Sequence, residues 1–286
     1  MKIKNFFKNI SHILPDSIYL RIKFYFRTGR QLNLNNPDTY TEKLQWLKLH
    51  DRKPVYTTMV DKYEVKKFVA DRVGEEHIIP LIGVWDNVED IRFNELPEQF
   101  VLKCTHDSGG LRICKDKSKF DFNNAKKKIK TSLKTNYFWQ SREWAYKNVK
   151  PRIIAEKYME DMQTGETRDY KFFTFNGEPK IMYIATGRGT GETYGDFFDM
   201  DFNHLNLTID HRNAPVCPEK PDCFEEMKKA ASILAQDTPQ LRVDFYVIDG
   251  QYYFGEMTFF HCGGFEDLKP AEWNKTFGSW VHLSKN

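Results

Sequence analysis

Asp244 and Glu256 stand in two β-prone runs, Leu241-Arg-Val-Asp-Phe-Tyr-Val-Ile248 and Tyr252-Tyr-Phe-Gly-Glu-Met-Thr258, joined by Asp249-Gly250. Asp-Gly between such runs signals a two-residue type I′ hairpin. Counted outward in a regular ladder, Ile248 pairs with Gln251 and Asp244 with Gly255, so Glu256 is a diagonal neighbour of Asp244. Arg242, Asp244, Glu256 and Thr258 are four polar groups in otherwise apolar strands. Burying them unpaired is costly, which favours a cation or a phosphate as partner. Two hard carboxylates near one point suit magnesium held between protein and phosphate oxygens. An ordinary edge hairpin with an Arg–Asp pair is the competing reading.

Phe100-Val-Leu-Lys103 followed by His106-Asp-Ser-Gly-Gly110 delivers a lysine and then a loop of small residues, including Ser108, Gly109 and Gly110. That pattern suits a phosphate cradle of backbone N–H groups and one ammonium charge. It is not a Walker loop, because no Gly-Lys-Ser/Thr stands at the required spacing. An ordinary hairpin loop competes with the cradle. Ile153-Ile-Ala-Glu-Lys-Tyr-Met159 runs from apolar strand into charged chain, where backbone groups can meet an adenine while Tyr158 and Met159 pack on its face. Asp199-Met-Asp201 is the kind of Asp-x-Asp pair that sugar-nucleotide glycosyltransferases use to hold a metal, though such pairs are common in turns. Cys104-x-His106 and His261-Cys262 lack zinc-finger spacing. No GxSxG nucleophile motif is present.

The elements that must position these groups follow from periodicity and turn signals. Residues 1–30 read as helical up to Gly29. Thr39 begins a second helix, with Glu42 at the capping-box spacing and Leu44, Trp46 and Leu47 on its buried side. Tyr63 to Val73 is a third, with Val65, Phe68 and Val69 inward, Lys62, Lys66 and Lys67 outward, and Gly74 as its stop. Short β runs then cover 78–82, 100–104 and 111–114, and a polar helix spans about 121–136. Strands follow at 152–156, 169–175 and 179–184, the last two flanking Asn176-Gly177, a second type I′ signal. A further amphipathic helix covers 222–235.

The 286 residues suffice for two or three compact subdomains. With 40% hydrophobic and 29% charged residues the chain is a soluble globular protein, and 15% aromatics imply a core rich in phenylalanine. A net charge of +3 argues against nucleic acid as partner. Residues 1–30 carry seven basic groups against one acid, and Phe6, Phe7, Ile10, Ile13 and Leu14 recur at helical intervals. Such a segment suits either contact with anionic lipid or a helix packed on the domain. No apolar run of signal-peptide length follows Met1–Ile10, and no stretch approaches a membrane span. Five cysteines without CxxC read as reduced thiols, which implies a cytoplasmic protein.

In this order, the pieces resemble the ATP-grasp superfamily, and within it the teichuronopeptide-synthesis (TupA-like) ATP-grasp family. The resemblance runs from about Asn36 to Gly278 and is carried by Thr39-Tyr-Thr-Glu-Lys-Leu-Gln-Trp-Leu-Lys-Leu49, Val60-Asp-Lys-Tyr-Glu-Val-Lys66, Ile79-Pro-Leu-Ile-Gly-Val-Trp85, Phe100-Val-Leu-Lys103 and Arg242-Val-Asp-Phe245 with Phe254-Gly-Glu-Met-Thr-Phe259. It implies an α+β chain: two α+β subdomains clasping ATP (96–158 with the phosphate lid, 159–286 with the metal site), preceded by a mainly helical region, 1–95. Residue by residue, it implies Lys62 and Lys103 on the ATP phosphates, residues 106–110 (His106, Ser108, Gly109 and Gly110 among them) as the lid, and Glu156, Lys157, Tyr158 and Met159 around adenine. It implies Asp169 at the ribose, and Lys171, Arg188 and Arg242 at the transferred phosphate. It implies Asp244 and Glu256 as ligands of two magnesium ions, with Thr258 in the third metal position, where D-alanine ligases carry Asn. The activity implied is carboxylate–amine ligation through an acyl phosphate. The acid would be a sugar carboxylate in a capsule or cell-wall precursor, coupled to an amino acid or other amine, at or near the inner membrane face. A glycosyltransferase using Asp199 and Asp201 is the rival reading.

Overall fold

The computed structural model describes residues 12–284 except 108, 163, 164, 166 and 188–190. Along the chain come α1 (Asp16–Thr28), α2 (Tyr40–His50), α3 (Val55–Val60), α4 (Glu64–Val73), β1 (Leu81–Trp85), β2 (Phe100–Cys104), β3 (Arg112–Cys114), α5 (Phe122–Leu133) and β4 (Ile153–Lys157). Then follow β5 (Asp169–Phe175), β6 (Glu178–Thr186), β7 (Tyr194–Phe198), β8 (His204–Leu205), α6 (Phe224–Leu234), β9 (Gln240–Ile248), β10 (Gln251–Thr258) and α7 (Glu272–Trp280). They form two compact units. One comprises residues 53–160 and the other joins the segment up to Arg52 with 161 onward.

The unit of residues 53–160 holds a four-stranded antiparallel sheet in the order β1-β4-β2-β3. In β2 burial alternates residue by residue. Phe100, Leu102 and Cys104 turn to a core shared with Ile153, Ala155 and Ile129 of α5. Val101 and Lys103 therefore take the other face, as the period of two requires. Asp121 caps α5 by accepting from the Asn124 N–H.

The second unit holds a six-stranded antiparallel sheet, β10-β9-β5-β6-β7-β8. Its two tight hairpins are those signalled by Asn176-Gly177 and Asp249-Gly250, with φ of 51° and 79° in the first and 50° and 79° in the second. Both central residues of each turn have positive φ, as type I′ demands. Alternation along β5 sends Phe172 toward Phe224 of α6 on one face. It sends Phe173 and Phe175 into an aromatic cluster with Tyr40 of α2 and Phe277 of α7 on the other. The abundant phenylalanine is thus core, and Lys171 and Asp169 share the face of Phe173. α1 packs Tyr19, Leu20 and Phe24 against Leu32, Leu34 and Phe265. Of the N-terminal apolar set, Phe6, Phe7 and Ile10 lie outside the described residues.

The capping box at Thr39 and Glu42 is formed. β1 starts after Pro80 rather than at Ile78, because proline has no N–H to give the ladder. α3, β7, β8 and α7 were not anticipated from the sequence; Gly278 fixes where α7 sits. A Cβ there would overlap the Asp38 carbonyl oxygen and lie 2.9 Å from the Tyr40 N. The helix is therefore seated directly on the start of α2. Gly278→Ala is expected to destabilise this unit by about 1–3 kcal/mol, since backbone cannot yield as a side-chain tip can. Chemical denaturation reads it, and an unchanged midpoint contradicts the close seat.

Candidate functional site

Asp244 and Glu256 face one another directly. The ladder between β9 and β10 shifts at Gly255, so Phe245 pairs with Phe254 but Asp244 pairs with Glu256. The regular count that made Glu256 a diagonal neighbour fails here for a definite reason, a one-residue bulge. A Cβ at Gly255 would sit 3.0 Å from the Asp244 carbonyl oxygen, so glycine suits this close approach. Because side chains alternate, one extra residue moves Glu256 and Thr258 onto the face of Asp244 and Arg242.

That face is a network centred on Arg242. Its Nε donates to Asp244 Oδ1 and its Nη2 to Oδ2, both at 2.6 Å. Nη2 also reaches Glu256 Oε1 and Thr258 Oγ1, each at 3.1 Å. Lys171 on β5 donates to Asp244 Oδ2 at 2.6 Å and lies 3.4 Å from Asp169 Oδ1. Burial alone would raise the Asp244 pKa, but Arg242 and Lys171 outweigh it and hold the carboxyl below the usual range. Thr258 donates to Glu256 Oε1 at 3.4 Å, so its hydroxyl links the guanidinium to that carboxylate. Glu256 is the accessible member, its side chain 43% exposed. Asp169, Asp244 and Glu256 face two cationic side chains, which leaves this cluster one negative charge.

His261 was absent from the expected site, although a histidine three residues past Thr258 in a phenylalanine run was a usable signal. Arg242 Nη1 donates to its Nδ1. A guanidinium can only donate, so Nδ1 is the acceptor and the ring proton sits on Nε2. Asp210, His261 and Cys262 bring three ligand-type atoms within 4.8 Å of one another. Yet a neutral imidazole already accepting at Nδ1 has no lone pair left for a metal at Nε2. The arrangement does not suit zinc. Burial first, then Arg242 and Lys171, push the His261 pKa well down.

In the other unit, Asp61 Oδ1 accepts from the Tyr63 and Glu64 N–H groups at the start of α4, and Asp61 Oδ2 pairs with Arg152 at 2.7 Å. Lys62 Nζ donates to the Asp107 carbonyl at 2.5 Å, beside the small-residue loop. Lys103 on β2 pairs with Glu156 Oε2 on β4 at 2.5 Å. Lys66 of α4, expected outward, turns inward to Glu156 Oε1 at 2.7 Å. There it satisfies the second oxygen of a buried carboxylate and also donates to the Ile79 carbonyl at 2.9 Å. His106 is buried and meets the Ser132 carbonyl at 3.1 Å, which anchors the loop to the end of α5. Asp107 accepts from Ser132. Gly109 has φ of 109°, a value open to glycine. Past Glu156, Lys157 is exposed, Tyr158 lies under Lys115 at 5.2 Å, and Met159 is half-buried. Ser108 and Arg188 lie outside the described residues.

The structure therefore gathers Lys171, Arg242, Asp244, Glu256, Thr258 and Asp169 in one unit, and Lys62, Lys103 and Glu156 in the other. Asp199 is spent on its own turn: Oδ1 accepts from the Asp201 and Asn203 N–H groups and Oδ2 from the Asn203 side chain.

A family model described as TupA-like ATPgrasp matches residues 42–282. The chain belongs to the TupA-like ATP-grasp family. Its fold is the α+β ATP-grasp fold, with helices leading into antiparallel sheets. No curated protein matches the chain. Among solved structures it is similar to N5-carboxyaminoimidazole synthetase from Staphylococcus aureus complexed with ADP, at 16% identity and a TM-score of 0.44, covering 75% of this chain and 50% of that one. It is similar to D-alanine–D-alanine ligase from Bacillus anthracis complexed with ATP, at 17% identity and 0.39, covering 70% and 53%. The Helicobacter pylori D-alanine–D-alanine ligase gives 13% and 0.42, covering 87% and 70%. The chain thus spans about half the length of the first two.

The neutral His261 has a pH signature. The folded ring refuses a proton that the unfolded chain takes up below about pH 6.5. Stability attached to this group is present above that pH and is lost as pH falls toward the lower folded value. His261→Gln keeps an acceptor for Arg242 but cannot titrate. The stability difference between wild type and this variant is expected to shrink as pH drops from about 7.5 to about 5.5. A difference that stays constant with pH, measured by denaturation, contradicts a neutral buried ring.

Proposed function

We propose that the chain is an ATP-dependent carboxylate–amine ligase acting through an acyl phosphate. The observation that supports it most is the bulged β9–β10 pair, which sets Asp244 and Glu256 opposite one another beside Arg242 and Lys171. The donor set fits magnesium. It consists of hard oxygens in a cluster with one surplus negative charge, and Glu256 has an oxygen, Oε2, with no hydrogen-bond partner among the described residues. Magnesium would be held by Glu256 and Asp244, with Thr258 positioning Glu256 rather than ligating. When bound, Mg²⁺·ATP supplies the phosphoryl group and screens its charge.

The chain's own residues would do the rest. Lys62 and Lys103 draw phosphate oxygens, Lys171, Arg242 and Arg188 offset charge on the transferred group, and Gly109-Gly110 lets backbone approach. The acid takes the γ-phosphoryl group with loss of ADP, and an amine then displaces phosphate to leave an amide. A sugar carboxylate of a cell-surface polysaccharide precursor is the proposed acid, and an amino acid or amine the nucleophile, in the cytoplasm or at the inner membrane face. Among the described residues no helix is long and apolar enough to cross a membrane. The glycosyltransferase alternative loses support because Asp199 gives three of its acceptor sites to its own turn.

ADP release from Mg²⁺·ATP, screened with uronic acids and amines, tests the proposal. Glu256→Gln should abolish turnover, since a neutral amide holds cations poorly. Asp201→Ala should leave turnover intact. The reverse pattern would falsify the ligase reading. Lys103→Ala should weaken nucleotide affinity by calorimetry while the unfolding transition stays cooperative, and undiminished affinity removes Lys103 from the phosphate site.

A further inference from the structure

The buried Glu156 carboxylate poses a problem for the proposed phosphate lysine. Lys103 donates to Glu156 Oε2 at 2.5 Å. If that were the whole pair, its charge would be cancelled and little would remain for a phosphate. The second lysine changes the balance. Lys66 reaches Glu156 Oε1 at 2.7 Å and also donates to the Ile79 carbonyl at 2.9 Å. The three side chains are sunk in the unit, 14% exposed for Lys66, 16% for Lys103 and 5% for Glu156. Two ammonium groups thus share one carboxylate, and the trio carries one positive charge that solvent screens only partly.

The two lysines are not equivalent. Lys103 stands on β2, whose outward face continues through Val101 beside Ile113, both incompletely buried. Lys66 comes from α4 and is fastened at two points. Burial lowers the Lys66 pKa most, Glu156 partly restoring it, while for Glu156 burial is opposed by Lys103 and Lys66 together, and the net shift is downward.

We propose that Lys66 is a positioning residue that neutralises Glu156 and so leaves the charge of Lys103 available to the nucleotide phosphates. The inference rests on the ATP reading of the preceding subsection. It makes Glu156 a holder of the lysine pair, in addition to any part its backbone takes beside adenine. It also has a consequence that a merely structural role lacks. Removing Lys66 strands Lys103 in a neutral pair, and removing the Glu156 charge as well should set Lys103 free again.

The test is calorimetric binding of Mg²⁺·ATP to the full chain and to Lys66→Met, Glu156→Gln and the double variant, with adenosine as a phosphate-free probe. Lys66→Met should weaken Mg²⁺·ATP binding on the order of tenfold, the scale of one partly buried charge a few ångströms away. Adenosine affinity should not follow it. The double variant should recover most of the Mg²⁺·ATP affinity, and Glu156→Gln alone should bind at least as tightly as wild type. Thermal unfolding of all four identifies any loss due to misfolding, and the Glu156→Gln arm carries the test if Lys66→Met does not fold. An Mg²⁺·ATP loss that Glu156→Gln deepens, or an equal loss for adenosine, overturns the inference and leaves the ATP reading standing. A wild-type chain that binds no Mg²⁺·ATP removes both.

Discussion

A guanidinium has five N–H donors and no acceptor, and the unit built on the six-stranded sheet is organised around that asymmetry. Arg242 grips Asp244 through two nitrogens and extends to Glu256, Thr258 and His261. Each partner is fixed in a single chemical role by the contact. Asp244 stays ionised, Thr258 passes its own proton toward Glu256, and His261 takes one tautomer. The same contact that steadies the carboxylates removes His261 from metal chemistry. Sequence proximity of a histidine and a cysteine was therefore a poor guide to a metal site, because ligation depends on which lone pair is left.

Such a hub works only if the strands deliver its partners to one face. The bulge at Gly255 does this, and α2 supports the segment that follows β10. Gln45 and Lys48 donate to the Gly263 and Gly264 carbonyls, where Cys262, Gly263 and Gly264 turn the chain through three successive positive-φ residues. Lys48 is wholly buried and lies 4.4 Å above the Phe265 ring, which compensates its charge in part. A helix early in the sequence thus fixes the loop that presents His261 to Arg242.

The other unit solves the same problem with opposite sign. Its buried carboxylate, Glu156, is held by two lysines rather than one arginine gathering acids. In both of these clusters the buried charges meet opposite charges on neighbouring elements, in keeping with the cost of an unpaired buried charge. The acidic cluster around Arg242 and the basic pair around Glu156 are complementary in what each can attract, a cation in the first and an anion in the second.

Local chemistry in the sequence determined a good deal. Asn176-Gly177 and Asp249-Gly250 are turns because glycine and its neighbour tolerate positive φ, and the flanking β runs follow from their alternation. Thr39 and Glu42 start α2 as their spacing requires. Asp244, Glu256, Lys103 and the small-residue loop were legible as candidates because polar groups in apolar strands need partners. A glycine between Phe254 and Glu256 was a legible sign of the bulge, and a regular count passed over it. Other features were decided by tertiary structure alone. Helical periodicity puts Lys66 on the polar side of α4, and nothing within the helix says that a buried glutamate ninety residues later faces it. The tautomer of His261 is set by a guanidinium nineteen residues earlier in sequence. Periodicity reports which way a side chain leaves its own element, whereas the charge it meets, and hence the chemistry it can do, depends on which distant strand or helix is packed against it.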